Sequence, residues 1–181
     1  MCIRDRANYL AEHYGYHVYI ITWEQGGHSI VYPLSPKVTH VDWGILFYRQ
    51  YQYGLFKRMF MQWKMEKEFF KKLSNFVHTT QADIVIGASC EFTTMAGMDL
   101  LQRKTHTILE THSMRTSIEK NNPPAGNLLM RWAFKRRDKQ LHQYIKHMSA
   151  FVTLTHNDAK DWSDITPVSY THLRAHETPE H

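Results

Sequence analysis

Five short segments rich in β-branched and aromatic residues recur along this chain, and longer segments with helical patterns separate them. The strand-like segments are residues 17–22, 37–42, 83–88, 107–110 and 151–154. The helical patterns cover residues 7–14, 55–77, about 94–102 and about 127–148, and another helix begins near residue 157. Short strands that alternate with helices form βαβ units with parallel strands. The sequence therefore predicts an α/β fold, a Rossmann-like parallel sheet with helices on both faces.

The carboxyl ends of the predicted strands are where we expect function. In open parallel sheets, ligands bind beyond these ends, because the loops that follow the strands converge there. The corresponding segments are residues 22–24, 89–91, 111–113 and 155–156. They are rich in hydroxyl, carboxylate and imidazole groups, which can bind polar ligands.

The two ends of the chain are related to each other at the level of DNA. Residues 1–5 can be encoded by ATG TGT ATA AGA GAC, and the reverse complement of that DNA encodes residues 168–172 in order. Folding imposes no such antisense relation. We therefore interpret residues 1–6 and 167–181 as a translated inverted element that resembles a sequencing adapter. The expected natural segment is residues 7–166, a single Rossmann-like domain that is truncated at both ends.

Composition bounds the class of protein. The chain has a net charge of +5, which allows an anionic partner such as a membrane surface, a nucleotide or a nucleic acid but selects none of them. Cys90 is the one cysteine within residues 7–166, so a disulfide framework is excluded and a reducing compartment is expected. Apolar runs stay far below the length that spans a bilayer.

Three local motifs carry a family resemblance. The first is a helix end, a glycine, an aromatic residue and a strand in residues 14–22. The second is a strand followed by a histidine in residues 108–113, and the third is a strand followed by a helix start in residues 150–158. In this order and spacing, the chain resembles the N-terminal domain of family-4 retaining glycosyltransferases of the GT-B class, over nearly all of residues 7–166.

The resemblance implies the acceptor-side half of a transferase. Such an enzyme moves a sugar from a nucleotide-sugar donor to a hydroxyl of a glycan or lipid-linked acceptor and keeps the anomeric configuration. In the family, a second, C-terminal domain binds the donor, so residues 7–166 alone are expected to be inactive. Neither a metal nor another cofactor is expected. The implied location is the cytoplasm, with peripheral contact at the inner face of the cell membrane as an option.

The resemblance also singles out His112, which follows a predicted strand. The matching histidine of the family hydrogen-bonds the transferred sugar or supports charge at the anomeric carbon, and imidazole can donate a hydrogen bond at neutral pH. A histidine here equally fits an ordinary surface loop. The candidate acceptor-binding residues are Ser89, Glu91, Glu110, Ser113 and Arg115. Glu110 alternatively caps local amides, and Arg115 fits an anionic acceptor or an ordinary exposed arginine.

Residues 87–91 support a different enzyme class. They lie between a predicted strand and a helix and nearly match the Gly-x-Ser-x-Gly elbow of α/β-hydrolases, with Ser89 as the nucleophile. Glu91 stands where the second glycine would be, and its side chain would crowd the turn. A serine hydrolase stays as an alternative, and a non-catalytic module that binds a membrane or a partner is a third.

Residue spacing argues against two other kinds of site. His142 and His147 are five residues apart and do not share a helix face, and His-Glu-x-x-His and paired-cysteine spacings are absent from the sequence. The basic run at residues 135–139 contains an acid and comes without a recognised nucleic-acid module. Neither a metal site nor a nucleic-acid partner is predicted.

The predicted helix over residues 55–77 carries two apolar strips. The strip predicted to pack on the sheet consists of Phe56, Met59, Phe60, Trp63, Phe70 and Val77. The opposite strip consists of Met61, Met65, Phe69 and Phe76, and Lys57, Lys64 and Lys71 run between the two. A second apolar strip edged with lysines predicts contact with an anionic bilayer or a partner protein. The alternative is that another helix or the donor-binding domain covers it.

Overall fold

The computed structural model describes residues 3–101, 105–111, 128–153 and 155–165. The chain divides into two compact units, Met1–Asn75 (unit 1) and Phe76–His181 (unit 2). Helix α2, Leu55–Thr80, contributes its first 21 residues to unit 1 and its end to unit 2.

Unit 1 begins with helix α1 (Ile3–His13), strand β1 (Val18–Thr22) and strand β2 (Val38–Asp42). Gly15, with a φ of +69°, terminates α1, because this left-handed conformation lets the amide of Tyr16 reach back to the carbonyl of Leu10. The strands are parallel and pair from Val18 opposite Val38 to Thr22 opposite Asp42. A 3₁₀ helix, Phe47–Gln52, then leads into α2.

Two small apolar clusters hold unit 1 together. Ala7 and Ala11 of α1 pack against Val38 of β2, which covers one side of the two strands. Met65 and Phe69 of α2 pack with Ile45, and partly buried aromatic residues surround them: Trp23, Trp43, Phe47 and Phe70. Both clusters combine helix and strand or loop residues, as a layered α/β arrangement requires.

Unit 2 contains three strands and three further helices. They follow in the order β3 (Ile84–Gly87), α3 (Phe92–Asp99), β4 (His106–Glu110), α4 (Leu128–His147), β5 (Ala150–Val152) and α5 (His156–Trp162). The strands form a parallel sheet in the order β3-β4-β5. Its core is formed by Met95, Met98, Leu109, Leu141, Ile145, Phe151, Trp162 and Ile165. Apolar residues of the sheet and of all three helices therefore share one interior.

The predicted α/β class with parallel strands and flanking helices is confirmed. Each predicted strand is present, although its ends shift by one or two residues. Within the described residues the strands form a two-stranded and a three-stranded sheet, where the sequence predicted one. The alternation of apolar residues and the β propensity of a segment identify a strand, but they do not determine which other strand pairs with it.

The prediction for the two strips of α2 was wrong. Met65 and Phe69 are 8% and 3% exposed, so they belong to the core and do not form a free strip for a membrane or a partner. Met61 is half-buried beside them. Phe56 and Trp63, predicted to pack on the sheet, are 87% and 51% exposed. Aromatic residues after β1 and β2 cover the Met65–Phe69 face, and the helical pattern alone does not contain that information.

The remaining members of the two strips divide differently. Val77 is buried and Phe70 is half-buried, in agreement with the prediction, while Met59 and Phe60 are exposed. Phe76 of the opposite strip is half-buried. Lys57, Lys64 and Lys71 are exposed, as their predicted role in an external contact requires.

Candidate functional site

The carboxyl edge of the unit 2 sheet brings the loops after β3 and β4 together. Gly87 of β3 pairs with Leu109 of β4, so the two loops start side by side. A side-chain hydrogen bond between Cys90 and Thr111 joins them. Burial raises the pKa of the Cys90 thiol, and the Thr111 hydrogen bond acts in the opposite direction. The thiol is therefore protonated at neutral pH and is a poor nucleophile.

Strand β5 extends the same edge. The amide of Thr111 donates to the carbonyl of Val152 over 3.0 Å. Beyond β5, the Thr153 hydroxyl donates to the carbonyl of Thr155 over 3.2 Å, and the Thr155 hydroxyl caps α5 by accepting from the amide of Asp158 over 3.1 Å. Threonine residues thus follow both β4 and β5. Their hydroxyls stabilise the loop conformations from which a ligand at this edge would be contacted.

Ser89 and Glu91 lie in the loop between β3 and α3. The hydroxyl of Ser89 accepts from the amide of Glu91 over 3.2 Å, which fixes the turn into α3. Glu91 is the N-cap of α3, but its side chain makes no capping hydrogen bond and is exposed. Ser89 is half-buried. Both residues are at the edge where the sequence predicted acceptor binding, and the Glu91 carboxylate is accessible to a ligand there.

The Ser89 loop lacks two features of a nucleophile elbow. Such an elbow is a strained turn, but among the described residues the positive φ angles of non-glycine residues occur at Leu46 and Gln81. A serine nucleophile also needs a base within hydrogen-bond reach. The partner of the Ser89 hydroxyl is the Glu91 amide, and within the described part of the chain no histidine shares that bond. The geometry gives no support to the hydrolase alternative.

Glu110 is buried at the end of β4, with 5% of its surface exposed. Since a buried carboxylate is costly without hydrogen-bonding partners, its first role is within the fold. Of the predicted acceptor-binding residues that the structure describes, Ser89 and Glu91 are therefore more accessible than Glu110. The candidate catalytic residue His112, and with it Ser113 and Arg115, lie outside the described residues; Thr111 is the last described residue before them.

A second polar group lies at the carboxyl ends of β1 and β2 in unit 1. The Thr22 hydroxyl is 2.9 Å from Nε2 of His40 and donates to Oδ1 of Asp42 over 3.0 Å. Because a hydroxyl has a single proton, Nε2 of His40 must then donate to Thr22. The other oxygen of Asp42 accepts from the amide of Gly26 over 3.1 Å. This chain of hydrogen bonds fastens the Gly26-Gly27 turn to the strand ends.

The Asp42 carboxyl has a perturbed titration. Desolvation raises its pKa, but hydrogen bonds from the Thr22 side chain and from the backbone at Gly44, Gln25 and Gly26 together hold the pKa below its ordinary value. Asp42 is therefore an anion at neutral pH. Its partners organise the loop after β1, and this group of residues was not predicted from the sequence. The alternation His40-Val41-Asp42, which places His40 and Asp42 on one face of a strand, was the available signal.

The two groups differ in the chemistry that they offer. The unit 2 edge combines hydroxyls, an accessible carboxylate and a neutral thiol, which suits a neutral ligand that is rich in hydroxyl groups.

Among the residues that the structure describes, no group of three or more histidine, cysteine, aspartate or glutamate side chains is arranged to hold a metal ion. No protein-family model, curated protein or solved structure matches the chain.

Proposed function

We propose that this chain is the acceptor-side domain of a retaining glycosyltransferase of the GT-B class. The enzyme transfers a sugar from a nucleotide-sugar donor, bound by a second domain, to a hydroxyl of a glycan or lipid-linked acceptor. Ser89 and Glu91, together with Ser113 and Arg115, bind the acceptor, and Glu110, which is buried, positions the loop after β4 for this contact. His112 hydrogen-bonds the transferred sugar and supports the charge that develops at its anomeric carbon.

The observation that carries the proposal is the parallel sheet of unit 2 and its carboxyl edge. Ser89, Glu91 and Glu110 follow β3 and end β4, which are neighbouring parallel strands. The chain leaves β4 at Thr111, one residue before His112. Ligands of α/β proteins bind at this kind of edge, and hydroxyl and carboxylate groups bind sugar hydroxyls.

We place the reaction in the cytoplasm, at the inner face of the cell membrane when the acceptor is a lipid. The free, partly buried Cys90 is compatible with a reducing compartment. Neither a metal nor another cofactor takes part in the proposed reaction, and nucleic acid is not among its partners.

The first test is to sequence the source DNA across both ends of the coding segment. In the family that the chain resembles, a Gly-rich loop precedes the first helix and the C-terminal domain carries a spaced pair of glutamates. We therefore expect such a loop upstream of residue 7 and a second βαβ domain with these glutamates downstream of residue 166. A stop codon shortly after residue 166 in the source DNA would remove the donor-binding domain and contradict the proposal.

The second test is a transferase assay of the complete enzyme with a panel of uridine, guanosine and thymidine diphosphate sugars. His112→Ala should lower turnover by about 10²–10⁴-fold, the range for loss of a positioned acid–base group. The matched control is His106→Ala, at the opposite end of β4, which should retain turnover within about twofold. Equal turnover of the two variants would exclude the proposed role of His112.

A further inference from the structure

The first half of α2 exposes four large apolar side chains in one stripe. Phe56, Met59, Phe60 and Trp63 are 87%, 63%, 60% and 51% exposed. Their spacing places them on one side of the helix within about a quarter-turn of one another. We call these four residues the α2 patch. Contiguous exposure of this kind marks an interaction site, whereas single exposed apolar residues are ordinary.

The α2 patch is additional to the face by which α2 packs. Met65 and Phe69, on the opposite side of the helix, are buried in the unit 1 core. Phe69 has ring contacts with Trp23, Trp43, Phe47 and Phe70, all at centroid distances between 5.2 and 6.3 Å. The helix is therefore held by one face and presents a second, independent apolar face.

Cations surround the patch. The ammonium of Lys67 lies 3.8 Å from the ring centroid of Trp63, and that of Lys57 lies 4.3 Å from the ring of Tyr53. Lys64 is exposed on the same helix. Residues 43–68 contain five lysine and arginine residues and two glutamates, Glu66 and Glu68, and Glu68 pairs with Lys72 over 2.8 Å. The surface thus combines aromatic rings with an excess of positive charge.

We propose that the α2 patch inserts into the interfacial region of an anionic lipid bilayer. Aromatic and methionine side chains would enter the boundary between head groups and acyl chains, and the lysines would contact lipid phosphates. Lysine can do so from the edge of the patch, because its aliphatic stem lies along apolar surface while its ammonium stays in water. The positive charge favours an anionic bilayer over a neutral apolar protein surface, because only the bilayer offers phosphates that attract the lysines.

The inserted element lies in the plane of the membrane. No helix in the described ranges has the length and apolar character needed to cross a bilayer. Lipid binding by this patch does not depend on the transferase proposal, because it can be measured without donor or acceptor. If the transferase acts on a lipid-linked acceptor, the patch also supplies the surface by which the enzyme reaches it.

The test is co-sedimentation of the full chain with vesicles. Vesicles of phosphatidylglycerol and phosphatidylcholine should bind the chain, and vesicles of phosphatidylcholine alone should bind it about tenfold more weakly. The Phe56→Ser/Met59→Ser/Phe60→Ser variant should lower partitioning into the anionic vesicles by about tenfold or more. The matched control is Ile30→Ser/Val31→Ser/Tyr32→Ser, which removes three exposed apolar side chains elsewhere in unit 1 and should bind like the wild type.

The charge requirement has its own pair of variants. Lys57→Gln/Lys64→Gln/Lys67→Gln removes three cations beside the patch and should abolish the preference for phosphatidylglycerol. Lys135→Gln/Lys139→Gln/Lys146→Gln removes the same charge from exposed positions of α4 and should keep it. Equal loss in both variants would mean that only net charge matters and would overturn the assignment to α2.

A direct contact is tested by brominated lipid, which quenches tryptophan fluorescence at short range. Trp63→Phe should still sediment with anionic vesicles but lose most of the quenching, since Trp63 is the tryptophan of the patch. Unchanged quenching, failure of the wild type to sediment, or sedimentation of the serine variant at the wild-type level would each overturn the proposal. A dimer in solution that the serine variant disrupts, without lipid binding, would assign the patch to a second copy of the chain.

Discussion

The two units distribute their apolar side chains in opposite ways. The largest fully buried side chains, each less than 2% exposed, are all in unit 2: Trp162, Phe151, Met95, Met98, Leu109, Ile145 and Thr107. Unit 1 contains fifteen of the twenty exposed large hydrophobic residues of the described chain. Its most buried large side chain, Phe69, packs with two other buried residues, Ile45 and Met65, and the aromatic residues around it are only partly buried.

This difference suggests that the apolar residues of unit 2 mainly stabilise the fold, whereas many of those of unit 1 are placed to contact other molecules. Unit 2 has a closed interior, in which each side chain meets others on all sides and its removal leaves a cavity. Unit 1 has two small apolar clusters, and many of its aromatic side chains are exposed to solvent. The apolar fraction of a segment therefore does not measure how well the segment is buried. Helix α2 is the clearest case, because one of its apolar faces is buried and the other is exposed.

The largest expected effect tests the two interiors directly. Phe151→Ala should lower the free energy of unfolding by about 3–5 kcal/mol, because Phe151 is 1% exposed and packs at 5.2 Å against the ring of Trp162. Phe69→Ala should cost less, since its partly buried neighbours can settle into the space. Both losses of unfolding free energy can be measured by hydrogen exchange in urea. The amides of β4 and β5 report on Phe151→Ala in unit 2, and those of β1 and β2 report on Phe69→Ala in unit 1. A larger loss of unfolding free energy for Phe69→Ala than for Phe151→Ala would contradict the proposed difference between the two interiors.

The next effect tests how tightly unit 2 is packed. A Cβ at Gly87 would overlap the Sδ of Met98, which is buried beneath β3. Gly87→Ala should therefore cost about 1–3 kcal/mol of unfolding free energy, measured by urea denaturation. The control is a double-mutant cycle with Met98→Ala, in which the combined loss should be smaller than the sum of the single losses. An additive result would show that Met98 is not the obstacle.

A substitution in unit 2 should be stabilising. Thr107 is fully buried, and none of the described residues offers its hydroxyl a hydrogen bond. Thr107→Val should raise the unfolding free energy by about 1 kcal/mol, because it replaces an unsatisfied hydroxyl with a methyl group of similar shape. Thr105→Val is the matched control: the Thr105 hydroxyl donates to the carbonyl of Ala82 over 2.7 Å, so this change should destabilise. Effects of the same sign would contradict the assignment.

The smallest effect concerns the polar group of unit 1, which is partly exposed and therefore screened. The folded state lowers the pKa of Asp42, so its ionised form contributes stability above the ordinary carboxyl pKa of 3.8. That contribution disappears as the pH falls through the lower folded pKa. Asp42→Asn should accordingly lower the melting temperature at pH values above 3.8 and have progressively less effect below it. Asp138→Asn, on the exposed side of α4, controls for the loss of one charge; a pH-independent deficit would exclude this linkage.

The sequence predicted each strand because apolar, β-branched runs such as residues 83–88 are bounded by turn residues. It did not predict the division into two sheets, which depends on which strands meet across long connections. It also placed Phe56 on the packed face of α2 and Phe69 on the free face, and the structure reverses these two positions. Phe56 and Phe69 are equally apolar, and only the aromatic residues after β1 and β2, distant in sequence, decide that Phe69 is the buried one.

The candidate site was predictable in part. Ser89, Glu91 and Glu110 were located at strand ends from the strand pattern alone, and the structure gives them those positions. The burial of Glu110 and the Cys90–Thr111 hydrogen bond depend on the packing of neighbouring strands and were not predictable. The Thr22–His40–Asp42 group was missed for the same reason, because Thr22 meets Asp42 only through the register of β1 with β2.

Parallel pairing has a consequence for the chain as it is made. Ile84 of β3 pairs with His106, and Ile108 of β4 pairs with Ala150. At a synthesis rate of roughly 5–20 residues per second, β3 waits on the order of a second or more for β4, and β4 waits about twice as long for β5. During the first interval β3 has no partner strand, and during the second the edge of β4 that faces away from β3 stays unpaired. The strands that later form the most closed part of the molecule are thus accessible to a chaperone before their partner strands exist.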